Sequence, residues 1–439
     1  MLLGCSGLRW PKQALTLFPM TNTFNLQPIP RRQALTRISR PALAAAALSL
    51  PMGARATGPA LGAESAAWRA IEVQAKGQTV YFNAWAGSPT INAYIQWAAE
   101  QLAARYGLRL VHVKISDAAE MVQRVRNEKA ATKAEGTVDL VWINGENFLA
   151  MKREGLLKGP FAEQLPSYAW VDTQGKPTTR MDFSEPVDGM EAPWGMAQLT
   201  FMVDSVRVPQ APRHLAAWLA FAQAHPGRVT YPRPPDFHGT SWLKQMLLDV
   251  NPGASRQALY QPKTNAAFEA QTAALWRTLD AVHPHLWRKG RQFPLSAGAQ
   301  RQMMADGELL WAITFNPNEA ANEIAASRLP ATTMSYQFDG GTLGNTHFLA
   351  IPFNTQVFAA AQVTANFLLG AQAQARKADI AVWGDPTVLA VDRLPAAQRA
   401  WFQSAAVPGQ LRSSAPAIPE PHASWVDALE KEWARRYGG

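Results

Sequence analysis

The run TVYFNAWAGSPTINAYIQWAAEQL, residues 79–102, constrains the fold more than any other feature of the chain. It opens as a buried strand and turns through Gly-Ser-Pro. It continues as an amphipathic helix with Ile91, Tyr94, Ile95, Ala98 and Leu102 on one face. Ser88 is an N-cap type and Pro89 falls at the first helical position, where its missing N–H costs nothing. Gly107 closes the helix after Tyr106. LRLVHVKI (108–115) reads as the next strand, and Ser116 as the cap of a helix through Met121, Val122 and Val125. TVDLVWI (137–143) is a third strand, and NGENFLAMKREGLL runs on into a helix. Such alternation builds a parallel sheet with helices on its faces, and its ligand crevice lies beyond the carboxyl ends of the strands. AWAGSP and NGENF both occupy that edge, so Trp85 is expected at a crevice mouth.

A turn-rich surface excursion at 166–183 precedes a long strand, APWGMAQLTFMVDS (192–205), and a second alternation follows. It comprises a helix at 213–224, the strand RVTYP, the loop RPPDFHGTSW and a helix from about 241. Helices near 265–281 and 298–306, the strand ELLWAIT with FNPNEAANEI behind it, the strand THFLAIP (346–352) and a helix at 356–370 complete it. The segments 192–203 and about 340–352 are the candidate crossings between two α/β units.

Residues 1–56 carry seven of the 42 basic residues and no acid. A basic stretch from Arg31-Arg32 to Arg40 precedes the twelve-residue run PALAAAALSLPM and the small-x-small site Ala54-Arg55-Ala56. That order is an export signal cleaved after Ala56, because so short a run cannot cross about 30 Å of hydrocarbon. PRRQAL resembles the twin-arginine signal, with Ala34 where that signal usually has Phe. Initiation at Met20 would give a signal of ordinary length. The charge of +9 then belongs mostly to the leader, which removes the argument for nucleic-acid binding. Cys5, the only cysteine, leaves with it, so disulfides, thiol catalysis and thiolate metal sites are excluded from the exported part. A soluble periplasmic chain of about 383 residues is too long for one comfortable core, and two domains are expected.

The second unit repeats the device of the first. Gly239, Thr240 and Ser241 in PDFHGTSW open a helix after a strand, and FNPNEA does the same after ELLWAIT. Helix amino-termini are sockets for carboxylate, phosphate or other acceptor atoms, and several facing each other would make a clamp. Trp85, Trp142, Trp194, Phe237, Trp311 and Phe315 stand around these loops, with core packing as the competing role of each. Glu146, Asp236 and Glu319 share the loops, and carboxylates among aromatics suit an organic cation, unless they are solvated charges or caps. The chain lacks G-x-S-x-G, Walker, G-x-G-x-x-G and H-E-x-x-H patterns. His283-Pro284-His285 reads as a surface turn rather than a metal site, and Gly340-Gly341-Thr342-Leu343-Gly344 as a hinge or turn. Neither a catalytic residue, a metal nor a cofactor is expected.

With these residues in view, the chain resembles the solute-binding proteins of ABC importers. The match is to the type II group, whose relatives bind thiamine, polyamines and iron. RVTYPRPPDFHGTSWL, VYFNAWAGSPTINAYI, VDLVWINGENF and FNPNEA are similar to its YnjB-like branch, and the likeness runs from about residue 77 to about 435. The iron-binding relatives hold metal with adjacent tyrosines, and no Tyr-Tyr pair occurs here. The resemblance implies an α/β fold of two lobes, each a mainly parallel sheet flanked by helices. Residues 77–195 with about 345–400 would form lobe 1, 200–340 lobe 2, and 400–439 C-terminal helices of either. A small-molecule solute and the transmembrane subunits of an ABC permease are the expected partners of a monomer. Trp85, Ser88, Asn144, Glu146 and Asn147 would touch solute from the first lobe. Asp236, Gly239, Thr240, Ser241, Asn316 and Glu319 would touch it from the second, with Trp194 near the first crossing. An organic cation or thiamine-like heterocycle is favoured over an oxyanion, a sugar or a peptide. A periplasmic hydrolase or transferase on a similar frame, and a protein-binding adaptor, are the alternatives.

Overall fold

The computed structural model describes residues 65–403, 406–411 and 415–438. The export segment, with its twin-arginine motif, cleavage site and Cys5, lies outside the described residues. From Ser65 onward the described residues pack as one compact unit. Its two larger sheets carry separate hydrophobic cores, and a third sheet is a two-stranded hairpin.

Helix α1 (Ala66–Ala75) leads into β1 (Thr79–Trp85), α2 (Pro89–Tyr106), β2 (Arg109–Ile115), α3 (Ala118–Ala130), β3 (Leu140–Ile143) and α4 (Gly145–Arg153). β1 pairs in parallel with β2 and β3, as the alternation predicts. Ser88 is the N-cap of α2 with Pro89 behind it, and Gly107 ends that helix in the left-handed region at φ 63°. The cap of α3 is Asp117 rather than Ser116: its carboxylate accepts from the first turn while Glu120 reaches back, and the Ser116 hydroxyl donates to Glu120. The excursion at 166–183 holds short 3-10 turns and ends in a small hairpin, β4 (Met181–Asp182) and β5 (Glu185–Pro186).

The long strand expected at 192–205 is two strands, β6 (Glu191–Gln198) and β7 (Thr200–Asp204), separated by Leu199 alone. β6 joins the larger sheet and β7 the smaller, so the first crossing falls at Leu199. Helices α5 (Leu215–Ala224), α6 (Phe237–Val250), α7 (Ala254–Ala258), α8 (Asn265–Val282) and α9 (Ala297–Ala305) follow. Then come β8 (Ala312–Thr314), α10 (Glu319–Ala325), β9 (Thr333–Tyr336) and β10 (Thr342–Ala350). β10 returns to the larger sheet, antiparallel to β3 and to β6. The chain ends through α11 (Phe358–Leu369), α12 (Ala371–Ala378), α13 (Ala396–Arg399), β11 (Ala417–Ile418) and α14 (Val426–Tyr437).

The α/β class holds, with one correction in the smaller sheet. Its strands, in the order β8-β7-β9, all pair antiparallel. The strand expected at RVTYP does not form. Residues 228–230 are held one carbonyl at a time, by the backbone N–H groups of Leu310 and Trp287 and the side-chain amide of Gln300. Pro232 and Pro234, which lack N–H groups, end any ladder there. Without that strand, the sheet keeps only the segments delivered by the crossings and β8.

One core lies on the larger sheet, around Phe82, Tyr94, Trp194 and Leu349, with Val122, Phe148 and Phe348 on the opposite face. The other gathers Phe201, Trp218, Trp242 and Trp311 on the smaller sheet. Trp383 and Leu394 pack into the first core, whereas Trp425, Leu429 and Trp433 of the C-terminal segment pack into the second.

Candidate functional site

β3 ends at Ile143, and Asn144 is the N-cap of α4 without capping through its own side chain. Gly145 takes φ +64°, and a Cβ there would press on the Phe183 ring. Its N–H donates to Asp182 Oδ2 at 2.6 Å, which locks the start of α4 to the β4–β5 hairpin. Glu146 follows in the first turn and accepts from the Asn147 amide at 3.1 Å. Burial pushes the Glu146 carboxyl up to about 7, against the pull of the Lys244 ammonium.

Lys244 comes from the other core. Asp236 caps α6 by accepting from the N–H groups of His238 and Gly239. Gly239 abuts the Pro232 carbonyl so closely that a Cβ would overlap it. Thr240 donates to Glu430 Oε1 at 2.7 Å, and the buried Ser241 hydroxyl has no partner among the described residues. One turn beyond Thr240, Lys244 is 1 % exposed, with its ammonium 2.8 Å from Glu420 Oε2 and 4.1 Å above the Phe183 ring. Asn345 on β10 donates to the other oxygen of Glu420 at 3.1 Å.

Carboxyls outnumber cations at this junction. Burial raises Asp182 and Glu191 well above the usual carboxylate range and pushes Glu430 up to about 7. Both Glu191 oxygens and Asp182 Oδ1 lack hydrogen-bond partners among the described residues. Of the expected contacts, Glu146 lies within electrostatic reach of Lys244 and of Glu430, the carboxylate that accepts from Thr240; no hydrogen bond among the described residues carries Asn144 or Asn147 to α6. Among the described residues, no three His, Cys, Asp or Glu side chains are arranged to hold a metal ion.

Other expected contacts stand differently. Trp194 is fully buried, within 6.5 Å of the rings of Phe82, Tyr94, Trp142, His347 and Trp383, because β6 turns that face into the first core. Trp311 is fully buried in the second core in the same way. Asn316 donates to the Trp383 carbonyl at 3.2 Å and to Asn322 at 3.0 Å. Asn318 and Asn322 donate to the carbonyls of Gly384 and Ile380 at 2.7 and 2.6 Å. Glu319 is held by Arg301 at 2.5 Å, with burial raising its carboxyl. FNPNEA thus docks one core on the other. Trp85 is 36 % exposed, its indole lying over Gly87, and the Ser88 hydroxyl bonds Thr90 at 2.8 Å. No hydrogen bond or ring contact among the described residues joins Trp85 or Ser88 to Asp236, Gly239, Asn316 or Glu319. His283-Pro284-His285 is not a surface turn, since His283 is buried against Tyr231 with its Nε2 2.8 Å from the phenol oxygen.

The residues missed in the sequence are Asp182, Phe183, Glu191, Lys244, Asn345, Glu420 and Glu430. Lys244 had a signal, four residues after Thr240 on one helix face. Phe183 had none: it is a non-glycine residue at φ +42°, and that turn drives its ring inward from a polar hairpin.

Two surface hollows lie away from this junction. One is lined by Leu219, Ala274 and Arg277, the other by Asp204, Met304 and Leu329. No described helix is long and apolar enough to cross a membrane.

Residues 97–405 match the family of bacterial extracellular solute-binding proteins. The chain is 48 % identical over 372 residues to protein YnjB of Escherichia coli strain K12, covering 84 % of this chain and 94 % of that one. Its fold is that of the spermidine/putrescine ABC transporter substrate-binding protein PotD of Streptococcus pneumoniae, at 13 % identity and a TM-score of 0.57. That match covers 82 % of this chain and 98 % of that one. The apo ferric ion-binding protein A of Pasteurella haemolytica is similar at 12 % identity and a TM-score of 0.55, with the same coverage of each chain. In a family defined by binding, the missing nucleophile and metal motifs need no further account, and this chain belongs to the bacterial extracellular solute-binding proteins.

Proposed function

We propose that the chain is the periplasmic solute-binding component of an ABC importer, capturing an organic cation between two closing lobes and passing it to a membrane permease. The observation that carries the cation is the excess of buried carboxyls at the α4–α6 junction. Glu146, Asp182, Glu420 and Glu430 lie within electrostatic reach of the Lys244 ammonium, and Glu191 lies beside Asp182 within reach of Lys152. Cations that enter such a site let these groups ionise, whereas anions would meet them at a cost. PotD, by its name a spermidine/putrescine protein, shares the fold. The first lobe would comprise 77–195 with about 345–400 and the second 200–340, with α14 on the second core. The crossing at Leu199 and the β9–β10 connection would act as hinges, and closure would be stabilised by contacts that both lobes make to solute. Export through residues 1–56 and work as a monomer complete this reading.

A melting panel of putrescine, spermidine, choline, thiamine, phosphate and citrate tests it. A cation at a hundred times its dissociation constant is expected to add about 2.7 kcal/mol of stability. Stabilisation by the anions alone would contradict the proposal. Trp85→Ala is expected to change the melting of the unliganded protein little, because the ring is 36 % exposed and lies over Gly87.

A further inference from the structure

The Lys244 ammonium sits in a built cage. Phe183 lies below it at 4.1 Å and Phe237 beside it at 5.8 Å, both within cation–π reach. Glu420 Oε2 forms an ion pair with it at 2.8 Å, and Glu420 is itself held by Asn345 and, through its backbone carbonyl, by the Ser184 hydroxyl. The Asn345 and Asp182 side chains, 3 % and 1 % exposed, each keep one buried oxygen without a partner among the described residues. A single lysine thus leaves acceptor capacity unused. The cage is shared between the cores: Lys244 and Phe237 belong to α6, while Phe183 belongs to the hairpin locked to α4.

We propose that this cage is an ammonium-binding subsite and that Lys244 is its tethered occupant, which a cationic solute displaces. The inference rests on the cation reading above and adds where the ammonium goes and what competes for it. A side chain that fills the subsite from within lowers the apparent affinity by the fraction of time it is seated. Its four-carbon stem is flexible enough to leave. The lysine then links the two cores until a solute takes its place.

The test compares putrescine binding by calorimetry in the wild type, Lys244→Met and Lys244→Gln, with circular dichroism to establish folding. Lys244→Gln keeps a donor for Glu420, so one variant remains readable if Lys244→Met does not fold. Removing the competitor is expected to tighten putrescine about tenfold or more. Unchanged or weaker binding in the folded variants would overturn the proposal, since Lys244 would then be structural or a solute contact. If putrescine binds none of the proteins, the cation reading falls, and n-butylammonium decides the subsite separately. Stabilisation of Lys244→Ala but not of the wild type upholds an ammonium site, and no stabilisation of Lys244→Ala overturns it.

Discussion

Trp194→Ala is expected to cost about 3–5 kcal/mol of stability, read as a fall in the urea midpoint of the unliganded protein. The indole is wholly buried, edge-on to Trp142 at 5.1 Å and to Trp383 at 5.8 Å, with Phe82 and Tyr94 on other sides. Truncation leaves a cavity that no neighbour can fill, because β6 is fixed by its ladder to β10. Its carbonyl also accepts from Gln374 at 2.6 Å, so this stretch of β6 anchors α12 as well. The contrast with Trp85→Ala separates the two tryptophans by role. An equal and small stability loss in both would mean that Trp194 is not the core residue described.

Unliganded stability is expected to fall by about 3 kcal/mol or more between pH 5 and pH 7.5, because each unit of pKa shift is about 1.4 kcal/mol by linkage. The folded-state carboxyls of Glu146 and Glu430 are pushed up to about 7, that of Asp249 to about 6, and those of Asp182 and Glu191 also upward, all chiefly by burial. In this window the native state therefore holds protons that the unfolded chain has released, and stability falls as pH rises. His283, lowered to about 4 by burial, acts oppositely between about pH 4 and 6.5, as do His112 and His422 more weakly. The raised acids outnumber these bases. Urea titrations at the two pH values check the sign, and a stability that rises toward pH 7.5 would contradict the protonated junction. A bound cation should offset the loss, since it favours the ionised acids.

The sequence made the first sheet legible because its cues were local. β1 and the Ser88-Pro89 start of α2 fall where hydrophobic period and capping chemistry put them. The split of 192–205 into β6 and β7 left no local mark, because both strands are apolar and only their partners differ. RVTYP failed for the opposite reason: it has strand composition, but no neighbouring strand meets it. At the site, Asn144, Glu146, Thr240 and Ser241 were legible as residues at helix starts. Their surroundings were not, since Phe183, Glu420 and Glu430 reach the junction from a hairpin and from the chain's far end. Asn316 and Glu319 had the right chemistry in the right kind of loop. Their hydrogen bonds go to Trp383 and Arg301, which periodicity cannot reveal.

The most direct measurement is a crystal structure of the chain grown with whichever cation gives the largest melting shift. The account predicts the solute between α4 and α6, touching Glu146 and Phe183 on one side and Thr240 or Ser241 on the other, with Lys244 displaced from Glu420. A solute seated in a hollow of one core alone, or on the outer surface with the Lys244–Glu420 pair intact, would contradict it.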